Sequence, residues 1–441
     1  MRKRKITGIF IFFIFTILFV HSPVMGLASD LQPAWEIPLM PADNPANQTP
    51  VIQASDNRQL ITLNFKYEPT FFVYDGNGSF LWNYTLTAEK TPWLSSISIA
   101  PDGTGLAITQ FLPGCCHGSV SNTSSNKVIF FDKFGGRLWE YATYSPPLTS
   151  AVLKNTHDIL VGTVDGQILC LDRHGSVRWT TTVDAPVTTL ASSPDGSTIV
   201  ATGDSNYYFS TLYGEPLNPY DFFTLDANGT VLWKYQTRGQ NTVAVSRDGS
   251  TIAAIGGRFG NLMVFNRSGT KLFERSFPGV TSALSMTGDG NQSVVETADG
   301  LVYCLDHNGS PVWNVSVEPG SQGMAVGSTG DNIVIGNNRT IIVYSITGDV
   351  LGMYPAGSRV LSVTPVPGSE SFIIGTEQKI LFLNVNGSDP DGMFPASSSL
   401  TTTQPAIPTQ RTSTSTPTSV FIPVFALAIG VIGVILFRRP L

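Results

Sequence analysis

Two adjacent thiols and an imidazole, Cys115, Cys116 and His117, are the side chains of this sequence best equipped for chemistry. Thiolates ligate soft metals and form disulfides, and an imidazole beside them can add a third ligand. Geometry restrains both readings. Adjacent Cα atoms across a trans peptide lie about 3.8 Å apart, below the roughly 4.4 to 6.8 Å usual for a disulfide, so a vicinal Cys115–Cys116 bond would be strained. Three consecutive ligands without a second cluster also fall short of a zinc pattern. A loop carrying a vicinal disulfide, or a pair bridging two chains, stays open beside the metal reading, and no metal site is assigned.

A second group lies further on: Tyr207, Tyr208, Phe209, Tyr213 and Tyr220, with Asn206 and Asn218 among them. Aromatic faces beside amides suit stacking on sugars or peptide side chains, and they equally suit self-packing of a long loop. Cys170 and Cys304 stand two residues before an Asp in two similar segments and read as small buried hydrophobes too far apart to pair. His174 and His307 fall in turns, where solvated polar residues are expected. No Ser-His-Asp set, carboxylate pair or phosphate loop stands out, so no catalytic residue is assigned.

The elements that must hold these groups repeat. A hydrophobic run, Asp, two residues, Gly and then an aromatic recur as Asp75, Gly78, Trp82; Asp132, Gly135, Trp139; Asp172, Gly175, Trp179; Asp226, Gly229, Trp233; and Asp306, Gly309, Trp313. Weaker copies are Asn266, Gly269, Phe273, then Ser345 with Gly348, then Asn384 with Gly387. Successive copies are 57, 40, 54, 40, 40, 39 and 39 residues apart, close to the period of a four-stranded propeller blade. In each copy the run is a strand, the Asp caps a turn through its side chain, the Gly takes the left-handed position, and the aromatic fills the wedge between sheets. A second turn precedes each hairpin: PDG at 101–103 and 194–196, RDG at 247–249 and GDG at 288–290. Two hairpins per period make four strands.

The last copy, ending at 387, lacks an aromatic, whereas Trp35 in PAWEIPL has no hairpin of its own. Joining them completes a blade from both ends of the chain. The expected fold is all-β, an eight-bladed propeller of four-stranded antiparallel blades, with seven blades as the fallback. The two long spacings are insertions, at about 110–127 in blade 2 and 204–221 in blade 4. Both join a second strand to a third, so they share the face opposite the recurrent turns, and extended loops on a rigid frame are the usual place for binding.

The segments ILCLDRHGSVRW at 168–179 and LVYCLDHNGSPVW at 301–313 resemble the repeats of pyrroloquinoline-quinone-like propellers, over roughly residues 33–388. That family includes quinoprotein alcohol dehydrogenases and many non-catalytic propellers of the cell envelope. The resemblance implies the fold; activity has to come from a site. The quinoprotein enzymes place a vicinal disulfide ring against their quinone, which would give Cys115 and Cys116 a role, together with an Asp base and a carboxylate-rich calcium site. Neither of the latter can be assigned in this sequence, so no cofactor is expected. Pyrroloquinoline quinone with calcium belongs to the alternative reading.

Composition places the chain in a compartment. Arg2, Lys3, Arg4 and Lys5 precede an apolar run from Ile6 to Val20 and the small residues before Ser29, which fits a signal peptide over 1–28. The propeller is expected over 29–388, a Ser, Thr and Pro-rich stalk over 389–419, a transmembrane helix over 420–437, and a short cytoplasmic tail over 438–441 carrying Arg438 and Arg439. Stalk, apolar span and paired Arg resemble the C-terminal anchor of archaeal surface proteins. Eleven Asn-x-Ser/Thr sequons agree with export: Asn47, Asn77, Asn83, Asn122, Asn228, Asn266, Asn291, Asn308, Asn314, Asn338 and Asn386. Charged residues make up 13 % of the chain and the net charge is −6, which argues against a nucleic-acid partner.

The expectation is a single-pass membrane protein with an extracellular propeller, a binding or scaffold module for a protein or glycan ligand held by the two insertions, and not an enzyme. A membrane-tethered quinoprotein-like oxidoreductase and a purely structural envelope component are the alternatives.

Overall fold

Among the described residues the repeats fold into eight sheets built on four antiparallel strands, seven of four strands and one of five. A computed structural model describes residues 29–39, 49–65, 68–86, 92–112, 126–203, 221–237, 242–256, 260–318, 323–327 and 330–385. Blades 1 to 7 cover residues 50–85, 93–142, 147–182, 189–236, 242–275, 281–316 and 324–355. Blade 8 takes three strands from 360–384 and its outermost strand, Pro33–Pro38, from the other end of the chain, pairing Trp35 with Phe382. The first strands of successive blades touch all the way round, blade 8 returning to blade 1. The eight-bladed expectation holds, and so does closure by Trp35.

Burial explains the two kinds of strand. The middle strands are covered on both faces by neighbouring blades, so they are continuous apolar runs, as in Ile159–Thr163, buried throughout. The outermost strands alternate between half-buried and exposed, as in Val177–Thr182. Between blades 4 and 5, Phe222 and Phe265 meet edge to face at 5.4 Å. Burying each such ring contributes roughly 1.5–3 kcal/mol.

The recurrent hairpin has the expected chemistry. Asp75 Oδ1 accepts the amides of Asn77 and Ser79, both at 2.9 Å, and Gly78 sits at φ 77°. Asp132, Asp172, Asp226 and Asp306 accept the equivalent pairs of amides. The aromatic does something the repeat alone does not reveal: it serves the turn of the next blade. The indole N–H of Trp35 donates to Gly76 O, Trp82 to Lys133 O, Trp139 to Arg173 O, Trp179 to Ala227 O, Trp233 to Arg267 O and Trp313 to Ile346 O, at 2.8–3.0 Å. The ring also lies under the glycine of that neighbouring turn. A Cβ on Gly229 would stand 2.4 Å from the Trp179 ring, so glycine is required there for space as well as for φ.

Two blades depart from the pattern. In blade 5 the aromatic is Phe273, which packs under Gly309 but has no N–H, and Arg275 Nη1 donates to Gly309 O at 2.7 Å instead. In blade 7 the aromatic position is Gly352. The gap is filled by Leu31, buried against Gly352, while Ser29–Asp30 adds a fifth, parallel strand beside Gly352 and Met353. One short segment, 29–38, therefore completes two adjacent blades.

Candidate functional site

The ring has two unlike rims. Lys133 N donates to Thr104 O at 3.0 Å and Arg267 N to Ser250 O at 2.9 Å, which ties the two recurrent turns of a blade together on one rim. Strand direction then puts the links between second and third strands, and the links between blades, on the opposite rim. Both insertions leave and re-enter the ring there, between Leu112 and Asn126 in blade 2 and between Gly203 and Asp221 in blade 4. Cys115, Cys116, His117, Tyr207, Tyr208, Phe209, Tyr213 and Tyr220 lie outside the described residues, as do the signal peptide, the stalk and the 420–437 span. No helix among the described residues is long and apolar enough to cross a membrane.

The feet of the insertions are well defined. In blade 2, Phe111 packs edge to face on Trp93 at 5.9 Å. Asn126 closes the base by accepting the Thr143 amide on its carbonyl at 2.9 Å, which places the first insertion beside the link to blade 3. That link carries Tyr144, 66 % exposed and the most open aromatic on this rim among the described residues. In blade 4, Gly203 N donates to Asp221 O at 3.0 Å. A Cβ on Gly203 would meet Ala185 at 2.8 Å, so only glycine lets this foot approach the blade 3–4 link.

Charge gathers at the second foot. Lys234 Nζ, on the outer strand of blade 4, is 3.0 Å from Asp184 and 3.8 Å from Asp221. Burial raises the Asp221 pKa, Lys234 works against that, and Asp184 adds to it. The hydrogen bond to Asp184 raises the Lys234 pKa in turn. Asp221 Oδ1 and Asn126 Oδ1 are both buried and have no hydrogen-bond partner among the described residues. Each is the first described residue after its insertion.

The hairpin rim is differently made. Several of its carboxylates are held in the charged form: the amide of Ser176 lowers the Asp172 pKa, the Ser193 hydroxyl lowers that of Asp195, and the Ser246 hydroxyl lowers that of Asp248. Asp158 on the same rim differs, since burial raises its pKa against the Thr156 hydrogen bond and Arg178. Lys154 pairs with Asp56 across the blades there, and His157 Nε2 lies 3.2 Å from Asp102. Cys170 and Cys304 pair with Trp179 and Trp313 across their strands, deep in blades 3 and 6. Both are free, and burial pushes each thiol up to about 12, so they stay protonated.

Among the described residues no three of His, Cys, Asp and Glu gather as a metal-ligand set. The described residues thus do not fit the carboxylate-rich calcium site a bound quinone would need, and no step through such a group is derived.

A family described as outer membrane protein assembly factor BamB matches residues 124–273 and 224–372, together more than half of the chain. The chain belongs to this family. Solved propellers agree on the fold. The BamB protein from Moraxella catarrhalis is 16 % identical with a TM-score of 0.53, covering 80 % of this chain and 97 % of that one. The C-terminal WD40 domain of Sif2 is 10 % identical with a TM-score of 0.59, covering 81 % and 99 %. The Dos1 propeller is 10 % identical with a TM-score of 0.61, covering 80 % and 95 %. No curated protein is a significant match. Within this BamB-type ring, sequence reasoning located both insertions but missed Tyr144 and the Asp184–Lys234–Asp221 group. The three charged residues come from three separate elements, and only the fold brings them together.

Proposed function

We propose that the protein is a non-catalytic scaffold, anchored in the cell membrane by the 420–437 span, that displays its propeller outside the cell and holds a protein or glycan ligand at the loop rim. It needs no cofactor. The observation that carries this reading is the asymmetry of the ring. The hairpin rim is occupied by capped turns and Trp–Gly contacts that serve the fold, whereas both long insertions open on the other rim. Tyr144 and the unsaturated acceptors of Asn126 and Asp221 stand at the insertion feet. Aromatic rings and buried polar groups at one mouth are the ordinary materials of recognition. The family description, an assembly factor, agrees with a binding role.

Shortening 206–218 to a few Gly and Ser residues tests the reading. The expected result is an unchanged melting temperature with loss of whatever surface protein or glycan the intact ectodomain captures, because surface loops contribute little to the core. Capture with unchanged affinity would overturn the part assigned to blade 4.

A further inference from the structure

The sequons divide by what their side chains are doing. Asn77, Asn228 and Asn308 occupy the same place in the hairpins of blades 1, 4 and 6, two residues after the capping Asp. Each is exposed, and each is tied to its Asp only through the backbone amide. The hydroxyl residues of these sequons, Ser79, Thr230 and Ser310, likewise bond the Asp through backbone amides alone. All three sequons thus stand at turn tips with amide and hydroxyl uncommitted among the described residues.

The remaining described sequons differ. Asn266 is itself the capping residue and accepts the hydroxyl of its own sequon, Ser268, at 2.7 Å. Asn291 Nδ2 is held by Asp289 at 2.7 Å and Asn338 Nδ2 by Glu318 at 2.7 Å. Asn83 and Asn314 lie within outer strands, paired opposite Phe72 and Tyr303. Asn47, Asn122 and Asn386 lie outside the described residues. The turn does not require Asn at its second position after the cap, since the equivalent residues elsewhere are Phe134, His174, Ser268 and Thr347.

We propose that Asn77, Asn228 and Asn308 are N-glycosylated, which places sugar on the hairpin rim and leaves the loop rim open. The donor would be a lipid-phosphate- or lipid-pyrophosphate-linked oligosaccharide. Asn Nδ2 forms the new bond to the anomeric carbon, the bond from that carbon to the phosphate oxygen breaks with its electron pair leaving on the lipid phosphate, and Nδ2 gives its proton to a base of the transferase. The sugar is added where a bulky, hydrated group disturbs no packing. The proposal rests on the reading of the chain as an exported protein.

The full chain, purified from a host that exports and N-glycosylates proteins, tests it by peptide mass spectrometry together with sequencing of its N-terminus. Occupancy at all three sites, with Asn266, Asn291 and Asn338 bare, is the expected result. N77Q, N228Q and N308Q should then each remove one step of gel mobility, and the triple variant should keep its melting temperature, since no side-chain bond is lost. A chain that has lost residues 1–28 yet carries the three Asn residues bare overturns the proposal alone. So does occupancy at Asn338, which lies between the second and third strands of blade 7 on the loop rim, equal to that of the three. A chain that keeps residues 1–28 and carries no sugar overturns export and, with it, the proposal.

Discussion

The hairpin rim repeats one solution almost without change, whereas the loop rim shares a turn in only some blades, as where the Thr163 and Thr297 hydroxyls accept the Gln167 and Leu301 amides. On the first, the Asp of each full hairpin copy accepts amides of its own turn and the outer-strand indoles are committed to the neighbouring turn. On the second, the feet of the two insertions present different residues: an apolar ledge of Phe111 and Trp93 in blade 2, a charged group around Lys234 in blade 4. Uniform chemistry marks the part that closes the ring, and variable chemistry on the same frame marks the part free to specialise. Damage to the two rims should accordingly be read out differently, one in stability and the other in recognition.

Removing residues 29–38 should have the largest effect. It deletes the outer strand of blade 8 with Trp35 and uncovers Gly352 in blade 7 by taking away Leu31. Losing the indole alone costs about 3–5 kcal/mol on the scale for buried aromatics, so thermal melts of the truncated propeller should shift by many degrees or lose cooperativity. An unchanged melting temperature would refute closure by this segment.

A single ring comes next. W233A should cost about 3 kcal/mol, the low end of that scale because the outer edge of the indole meets water. W233F keeps the ring but forfeits the bond to Arg267 O, about 1 kcal/mol; blade 5 already lives with this exchange at Phe273. Chemical denaturation of the two variants separates packing from hydrogen bonding, and equal losses would show that the ring itself matters little.

The smallest effect is one of sign. Asp172, Asp195 and Asp248 have pKa values lowered in the fold, so their contribution is present above the unfolded value, about 3.9, and fades as pH falls through the folded ones. Asp221 is raised, so its native state favours the proton, and stability is lost as pH rises through its folded value. D221N should therefore raise the melting temperature slightly at pH 7 and give no gain near pH 3. A variant less stable at pH 7 would mean that the Lys234 pairing outweighs burial.

Much of this was legible in the sequence because the hairpin has few substitutes. An Asp that caps, a Gly at positive φ and an aromatic at fixed spacing survive in five full copies, enough to count blades and to assign Trp35 to the last. The destination of each indole was hidden, since the motif binds residues close in sequence into one unit while the contact runs from Trp139 to the turn at Asp172 in the next blade. Blade 7 was hidden for the same reason: nothing near Gly352 announces that Leu31 will fill its place. At the site, the lengths of the insertions were readable, whereas Asp184, Lys234 and Asp221 carry no local signature and meet only when blades 3 and 4 pack.

The central claim, recognition at the loop rim, is tested most directly by placing a photo-activated cross-linking residue at Tyr144 on that rim and, in a second variant, at His174 on the hairpin rim, both exposed. On intact cells, the account predicts a discrete adduct from position 144 that disappears when 206–218 is shortened, and none from position 174. The same adduct formed at position 174 and absent at position 144 would contradict it.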